Sequence, residues 1–172
     1  NPDVTLNLTM FNRQPIHPDV NKILGDFTNI ALLGYYARED FNFMEIVESM
    51  KMQLWNAIEY RSFNVINLLG RLAEKHGDAV AAPYVFTSLI DSDAEGTEQT
   101  MTKIGFEEIF AQTQTPQVVL DHQLYVRNGK LLLVLDYVKQ AFDNKVLDEI
   151  FADYTSRVKR LANMEDWSML YE

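Results

Sequence analysis

The sequence has no cysteine, which removes disulfides, thiolate catalysis and cysteine-based zinc sites from consideration. It is also short of positive charge: 15 Lys and Arg stand against 25 Asp and Glu, a formal net charge of -10. Such a field repels nucleic acid and anionic lipid, so neither is expected as a partner. Long apolar runs are missing too. Stretches such as Ile30 to Leu33 fall far short of the about 20 residues that span a bilayer. Asn1-Pro2-Asp3 lacks the basic and apolar regions of a signal peptide, so a soluble, cytoplasmic protein is the expectation. GxSxG, the Walker loop, GxGxxG and HExxH are all absent. His17, His76 and His122 have no metal-ligand spacing, and no metal is expected.

What is present suits one globular domain, since 172 residues with 47% hydrophobic and 23% charged content can bury a single core. Val4, Leu6, Leu8 and Met10 alternate with Thr5, Asn7 and Thr9, which predicts a strand over 3–11. The sequon Asn7-Leu8-Thr9 falls in mid-strand and reads as chance. Phe27 to Tyr36 is nearly continuously apolar, which predicts a strand covered on both faces. Phe43, Ile46, Val47, Met50, Leu54 and Ile58 recur at helical spacing after Asp40, predicting a helix over 41–60 capped by Asp40. A second helix is predicted from Ser62, as its N-cap, to Gly77. Pro83 to Ile90 reads as a strand, and the acidic stretch 91–98 as an exposed loop that matches no calcium-loop spacing. Asp143 predicts the cap of a last helix striped by Leu147, Ile150, Phe151, Tyr154, Val158 and Leu161. Interspersed strands and helices imply a mixed α/β layer structure.

Asn128-Gly129 between two apolar runs is a strong hairpin signal, because a type I′ turn needs positive φ twice. It joins predicted strands Gln117 to Arg127 and Lys130 to Val138. With a two-residue turn Arg127 pairs with Lys130, which sets Gln123 opposite Val134 and Asp121 opposite Asp136. Period 2 puts Gln117, Val119, Asp121, Gln123 and Tyr125 on one face. Two carboxylates facing each other across a ladder repel, so a bulge separates them or one binds its proton more tightly, as a general acid or base requires. Thr87 is a hydroxyl on the otherwise apolar Val85/Leu89 face of its strand, whereas Tyr84, Phe86 and Ser88 share the other.

These residues also carry a family resemblance. Asn7-Leu-Thr-Met-Phe-Asn-Arg13, His17-Pro18, Gly25-Asp-Phe-Thr28, Pro83-Tyr-Val-Phe-Thr-Ser88, Gln114-Thr-Pro-Gln-Val-Val-Leu-Asp-His-Gln123 and the tail Leu133-Val-Leu-Asp-Tyr137, Phe142, Phe151-Ala-Asp-Tyr154 run in order. Together they resemble the C-terminal half of a nonribosomal peptide synthetase heterocyclization domain, a specialised condensation domain. The resemblance implies a chloramphenicol acetyltransferase-like lobe, a mixed sheet with flanking helices, over 1–163, and a linker toward an adenylation domain over 164–172. It implies amide formation between carrier-bound substrates, then cyclodehydration of Cys, Ser or Thr to a thiazoline or oxazoline. Thr87 and Asp121 are the implied catalytic residues, with Gln123, Gln117, Asp136 and Ser88 binding substrate or supporting them. No cofactor is implied on the chain itself; phosphopantetheine arrives on peptidyl carrier proteins. The other implied partners are an N-terminal lobe, which completes the tunnel, and the adenylation domain. The sequence has no DxxxxDxxS; Asp143 and Asp148 share only its first spacing. It also has Val134 where the family has Asn, so Gln123 is expected to find another partner. The alternatives are a non-catalytic docking or recruitment module and an ordinary condensation domain.

Overall fold

The computed structural model describes residues 3–36, 41–77, 82–90, 103–105 and 115–163. Strand β1 spans Val4–Phe11 and pairs antiparallel with β2, Thr28–Tyr35. Helices α1, Phe43–Glu59, and α2, Val65–His76, follow. Then come β3, Tyr84–Ser88, the hairpin of β4, Leu120–Arg127, with β5, Lys130–Tyr137, and helix α3, Asn144–Ala162. The strands form one mixed sheet in the order β2-β1-β3-β4-β5, with β3 parallel to both its neighbours and antiparallel pairs at either edge. Among the described residues no helix is long and apolar enough to cross a membrane.

The hairpin forms as the turn chemistry demands: φ is 52° at Asn128 and 68° at Gly129, and the register runs unbroken from Arg127↔Lys130 to Leu120↔Tyr137. The final helix starts where its cap places it, with an Asp143 carboxylate oxygen accepting from the Lys145 N–H at 2.8 Å. Gly77 ends α2 with φ 78°, the left-handed conformation that favours glycine.

Four expectations need correction. Helix α1 is capped by Asn42, whose side chain accepts from the Glu45 N–H at 3.0 Å while Glu45 accepts from the Asn42 N–H at 2.8 Å; Asp40 lies outside the described residues. This reciprocal capping box satisfies two helix-end donors at once, more than a single aspartate could. Helix α2 is capped by Asn64 and not Ser62, because residues 61–63 make the turn that lets α2 leave α1. Strand β2 is an edge strand, and only Ala31 and Leu33, on one face, are buried. Its outer edge is occupied at Gly34, whose N–H donates to the Gln53 side-chain oxygen and whose carbonyl accepts from the Gln53 amide, both at 2.8 Å. A side-chain amide thus stands in for the missing neighbouring strand. Strand β4 begins at Leu120, three residues after Gln117, because a turn over Thr115–Val118 precedes it. The acidic stretch 91–98 and the 164–172 linker lie outside the described residues.

Register divides the sheet into two faces. One row runs Ala31, Leu8, Phe86, His122, Leu135, and this face meets α3, since His122 Nε2 lies 2.9 Å from the Tyr154 hydroxyl. Val20, Ala31, Leu33 and Leu147 are the buried hydrophobic side chains among the described residues. The next rows, on the opposite face, are Leu32, Asn7, Val85, Asp121, Asp136 and Ile30, Thr9, Thr87, Gln123, Val134. All of the candidate polar groups that share a face lie on this second one.

Candidate active site

Thr87 and Asp121 reach the same face by different routes. Parallel pairing of β3 with β4 sets Thr87 beside Gln123 and Val85 beside Asp121, so the two residues are diagonal neighbours on one surface. Both are half-buried. Asp121 is directly opposite Asp136 with no bulge between them, so of the two expectations for this pair the structural one, a break in register, is excluded.

Gln123 holds Asp121 from its own strand: its amide Nε2 donates to Asp121 Oδ2 at 3.2 Å. Across the ladder Gln123 faces Val134, which offers no polar group, and the amide turns back along its own strand to the carboxylate two residues away. Thr87 makes a different contact. Its hydroxyl donates to Thr9 Oγ1 on β1 at 3.0 Å. Thr9 therefore belongs to the same polar patch, and nothing in the local sequence pattern singled it out. Asn7, in the row of Asp121, adds a side-chain oxygen that is covered and has no hydrogen-bond partner.

The remaining two candidates stand apart. Ser88 is exposed and pairs with Leu124, on the face of His122. Gln117 is exposed in a turn outside β4 and has φ 69°. Thr115 to Val118 closes with the Val118 N–H donating to the Thr115 carbonyl at 3.2 Å; proline at the second position and positive φ at the third define a type II turn. This turn is why the strand starts late and why alternation cannot be extended back to Gln117.

A cleft of about 320 Å³ opens where β4 begins and β5 ends, lined among others by Thr115, Val118, Asp121, Asp136, Lys139 and Gln140. Asp121 and Asp136 are its carboxylates, and Lys139 supplies a cation at its edge. Thr87 lies outside this cleft, along the sheet from it. Among the described residues no three His, Asp or Glu side chains are grouped to hold a metal ion.

Behind Asp121, on the other face, His122 is clamped between two rings. Phe86 and Tyr154 each meet it edge-on with centroids 5.2 Å away. Burial holds its pKa below the ordinary 6.5, partly offset by neighbouring backbone groups and the Asp121 carboxylate. Burial likewise raises the Tyr154 phenol. Other motif residues serve the backbone. The Arg13 guanidinium donates to the carbonyls of Val20 and Ile23 at 2.6 and 2.9 Å and lies 3.8 Å over the Phe27 ring, holding the β1–β2 connection. The Asp26 carboxylate accepts from the Thr28 N–H at 2.7 Å, and its bonds to Thr28 hold its pKa below the usual value.

A mixed five-stranded sheet with flanking helices and one polar, carboxylate-bearing face defines a chloramphenicol acetyltransferase-like lobe. The chain belongs to the condensation domain family, whose model matches residues 1–165. It is 33% identical over 169 residues to bacitracin synthase 1 of Bacillus licheniformis, covering 96% of this chain and 3% of that one. It is 33% identical over 157 residues to the phenyloxazoline synthase MbtB of Mycobacterium sp. (strain MCS), covering 91% of this chain and 13% of that one. The solved cyclization-docking bidomain of the EpoB nonribosomal peptide synthetase from Sorangium cellulosum superposes with a TM-score of 0.80 at 35% identity. That match covers 98% of this chain and 33% of the bidomain. The chain thus spans a small part of the curated relatives it matches.

Proposed function

We propose that this chain is the C-terminal-lobe portion of a heterocyclization domain in a nonribosomal peptide synthetase. The observation that carries this reading is the amide of Gln123 on the carboxylate of Asp121, on the same sheet face as Thr87. A carboxylate fixed by a neighbouring donor and set in a cleft can take a proton from a nucleophile and return it to a leaving group. The relatives support the same direction, one being named a phenyloxazoline synthase and another a cyclization domain.

In this reading partner carrier proteins deliver both substrates as thioesters on phosphopantetheine arms, and an adenylation domain loads the acceptor carrier. The acceptor amine attacks the donor carbonyl, an amide bond forms and the arm's thiol leaves. The side-chain thiol or hydroxyl of the acceptor then adds to the new amide carbon, and loss of that carbon's oxygen as water closes the ring with a C=N bond. Asp121 accepts the proton given up by the nucleophile or the amide nitrogen and delivers it to the departing oxygen. Thr87 orients the reacting amide through its hydroxyl, and Asp136 completes the cleft wall beside Asp121. An N-terminal lobe supplies the other wall of the tunnel.

Asp121→Asn and Thr87→Ala, made in the intact protein with loaded carriers, are expected to lower ring formation by roughly 10²-fold, the usual scale for loss of an acid/base group. Uncyclised amide then accumulates. Unchanged ring formation in both variants rejects the assignment and leaves ordinary condensation as the function.

A further inference from the structure

The Asn7-Leu8-Thr9 stretch has a use that the sequon reading missed. We infer that Thr9 is a positioning residue that fixes the direction of the Thr87 hydroxyl and makes Thr87 a hydrogen-bond acceptor toward a donor group of the substrate. The inference rests on the reading of Thr87 as a cyclisation residue and adds the polarity of the group it recognises.

The parallel register Asn7↔Val85 and Leu8↔Phe86 carries Thr9 alongside Thr87, and the two oxygens are 3.0 Å apart. Both residues are half-buried in strands, and both are β-branched, so their side chains are stiff about the first torsion and keep this contact. A threonine hydroxyl has one hydrogen and two lone pairs. Thr87 spends its hydrogen on Thr9. What it presents to the rest of the face is therefore a lone pair, which accepts and cannot donate. A carbonyl oxygen gains nothing from such a group. An amide N–H, a thiol or a hydroxyl does, and these are the groups that must be aligned when a side-chain nucleophile closes on its own amide. Asp121, diagonal to Thr87 on the same face, likewise offers carboxylate oxygens that accept, so the patch selects a hydrogen-bond donor.

The test compares Thr9→Val, which keeps the shape and removes the hydroxyl, with Thr9→Ser, which keeps the hydroxyl, in single-turnover assays of the intact protein that quantify linear and cyclised product. Thr9→Val is expected to slow ring formation by about fivefold, the scale of one hydrogen bond, with amide formation unchanged, and Thr9→Ser to restore it. In a Thr87→Ala background Thr9→Val should have no further effect. Wild-type ring formation in Thr9→Val, or an equal loss that persists in the Thr87→Ala background, overturns the inference. Melting of the same four proteins, wild type, each single variant and the Thr9→Val/Thr87→Ala double, separates this from failure of the underlying reading. If Thr87→Ala leaves ring formation intact, the cyclisation role of Thr87 falls. The thermal cycle then still decides on Thr9: non-additive losses show the hydroxyl pair, and additive losses refute it.

Discussion

His122 Nε2 lies 2.9 Å from the hydroxyl of Tyr154, a contact that joins α3 to the strand whose alternate residues, Asp121 and Gln123, face the other way. The rest of the imidazole is enclosed: Nδ1 is buried and has no hydrogen-bond partner. Nε2 and the Tyr154 hydroxyl share one hydrogen bond, whose direction follows the imidazole tautomer. A second proton would put a charge into this enclosure, which burial disfavours more than the neighbouring backbone groups and Asp121 favour it.

That arrangement makes stability depend on pH. Burial lowers the folded-state pKa of His122 below 6.5, the value it takes when unfolded. As pH falls below about 6.5 the unfolded chain binds a proton that the folded chain refuses, so stability is lost from there down to the folded pKa. His122→Phe should flatten this part of the melting-temperature profile between pH 7.5 and 5.0. An unchanged slope in that variant would show that His122 does not titrate differently on folding.

Gln117 tests backbone strain apart from chemistry. A φ of 69° at a non-glycine residue costs on the order of 1 kcal/mol or more. Gln117→Gly should therefore melt at or above the wild-type temperature, and Gln117→Ile, whose branched carbon resists this conformation, should lose about 1–3 kcal/mol. Equal stabilities for the two variants would contradict the turn.

Val134 faces Gln123, and Gln123 is turned toward Asp121. Val134→Asn introduces an amide opposite Gln123, adding a polar partner across the ladder. Cyclisation should rise about fivefold, the equivalent of one hydrogen bond of about 1 kcal/mol, with melting within a few degrees of wild type. A lower melting temperature with no gain in product would favour a non-catalytic docking module.

Ile16 and Leu24 are 83% and 101% exposed, and Phe11, Trp55, Phe63 and Ile66 are also largely open to solvent. Apolar side chains left open in this number mark surfaces that another body covers. Sedimentation of the 172-residue chain should show self-association, or a second polypeptide should co-purify. A monodisperse monomer that cyclises substrate unaided would contradict the two-lobed reading.

The sequence disclosed those relationships that short-range chemistry sets. Asn128-Gly129 fixes a two-residue turn, and counting back from it places Asp121 opposite Asp136 and Gln123 opposite Val134, as found. The caps were harder. Asp40, Asn42, Ser62 and Asn64 are all good cap residues; the reciprocal bonds of Asn42 with Glu45 select the first cap, and the turn at 61–63 selects Asn64 for the second. The contact of Thr9 with Thr87 was not legible, because it depends on β1 lying parallel to β3 across 78 residues, which no local period encodes. Gln117 misled for the opposite reason: the apolar run of the strand extends back through Val119 and Val118, and the turn imposed by Pro116 overrides it.

The most direct measurement is the mass of the peptide that the intact wild-type protein makes from loaded carriers, set beside that made by Asp121→Asn. A heterocyclization domain yields a product lighter than the linear amide by one water, and Asp121→Asn shifts the yield to the linear amide. A wild-type product of full linear mass, or a ring that forms equally in Asp121→Asn, would contradict the account.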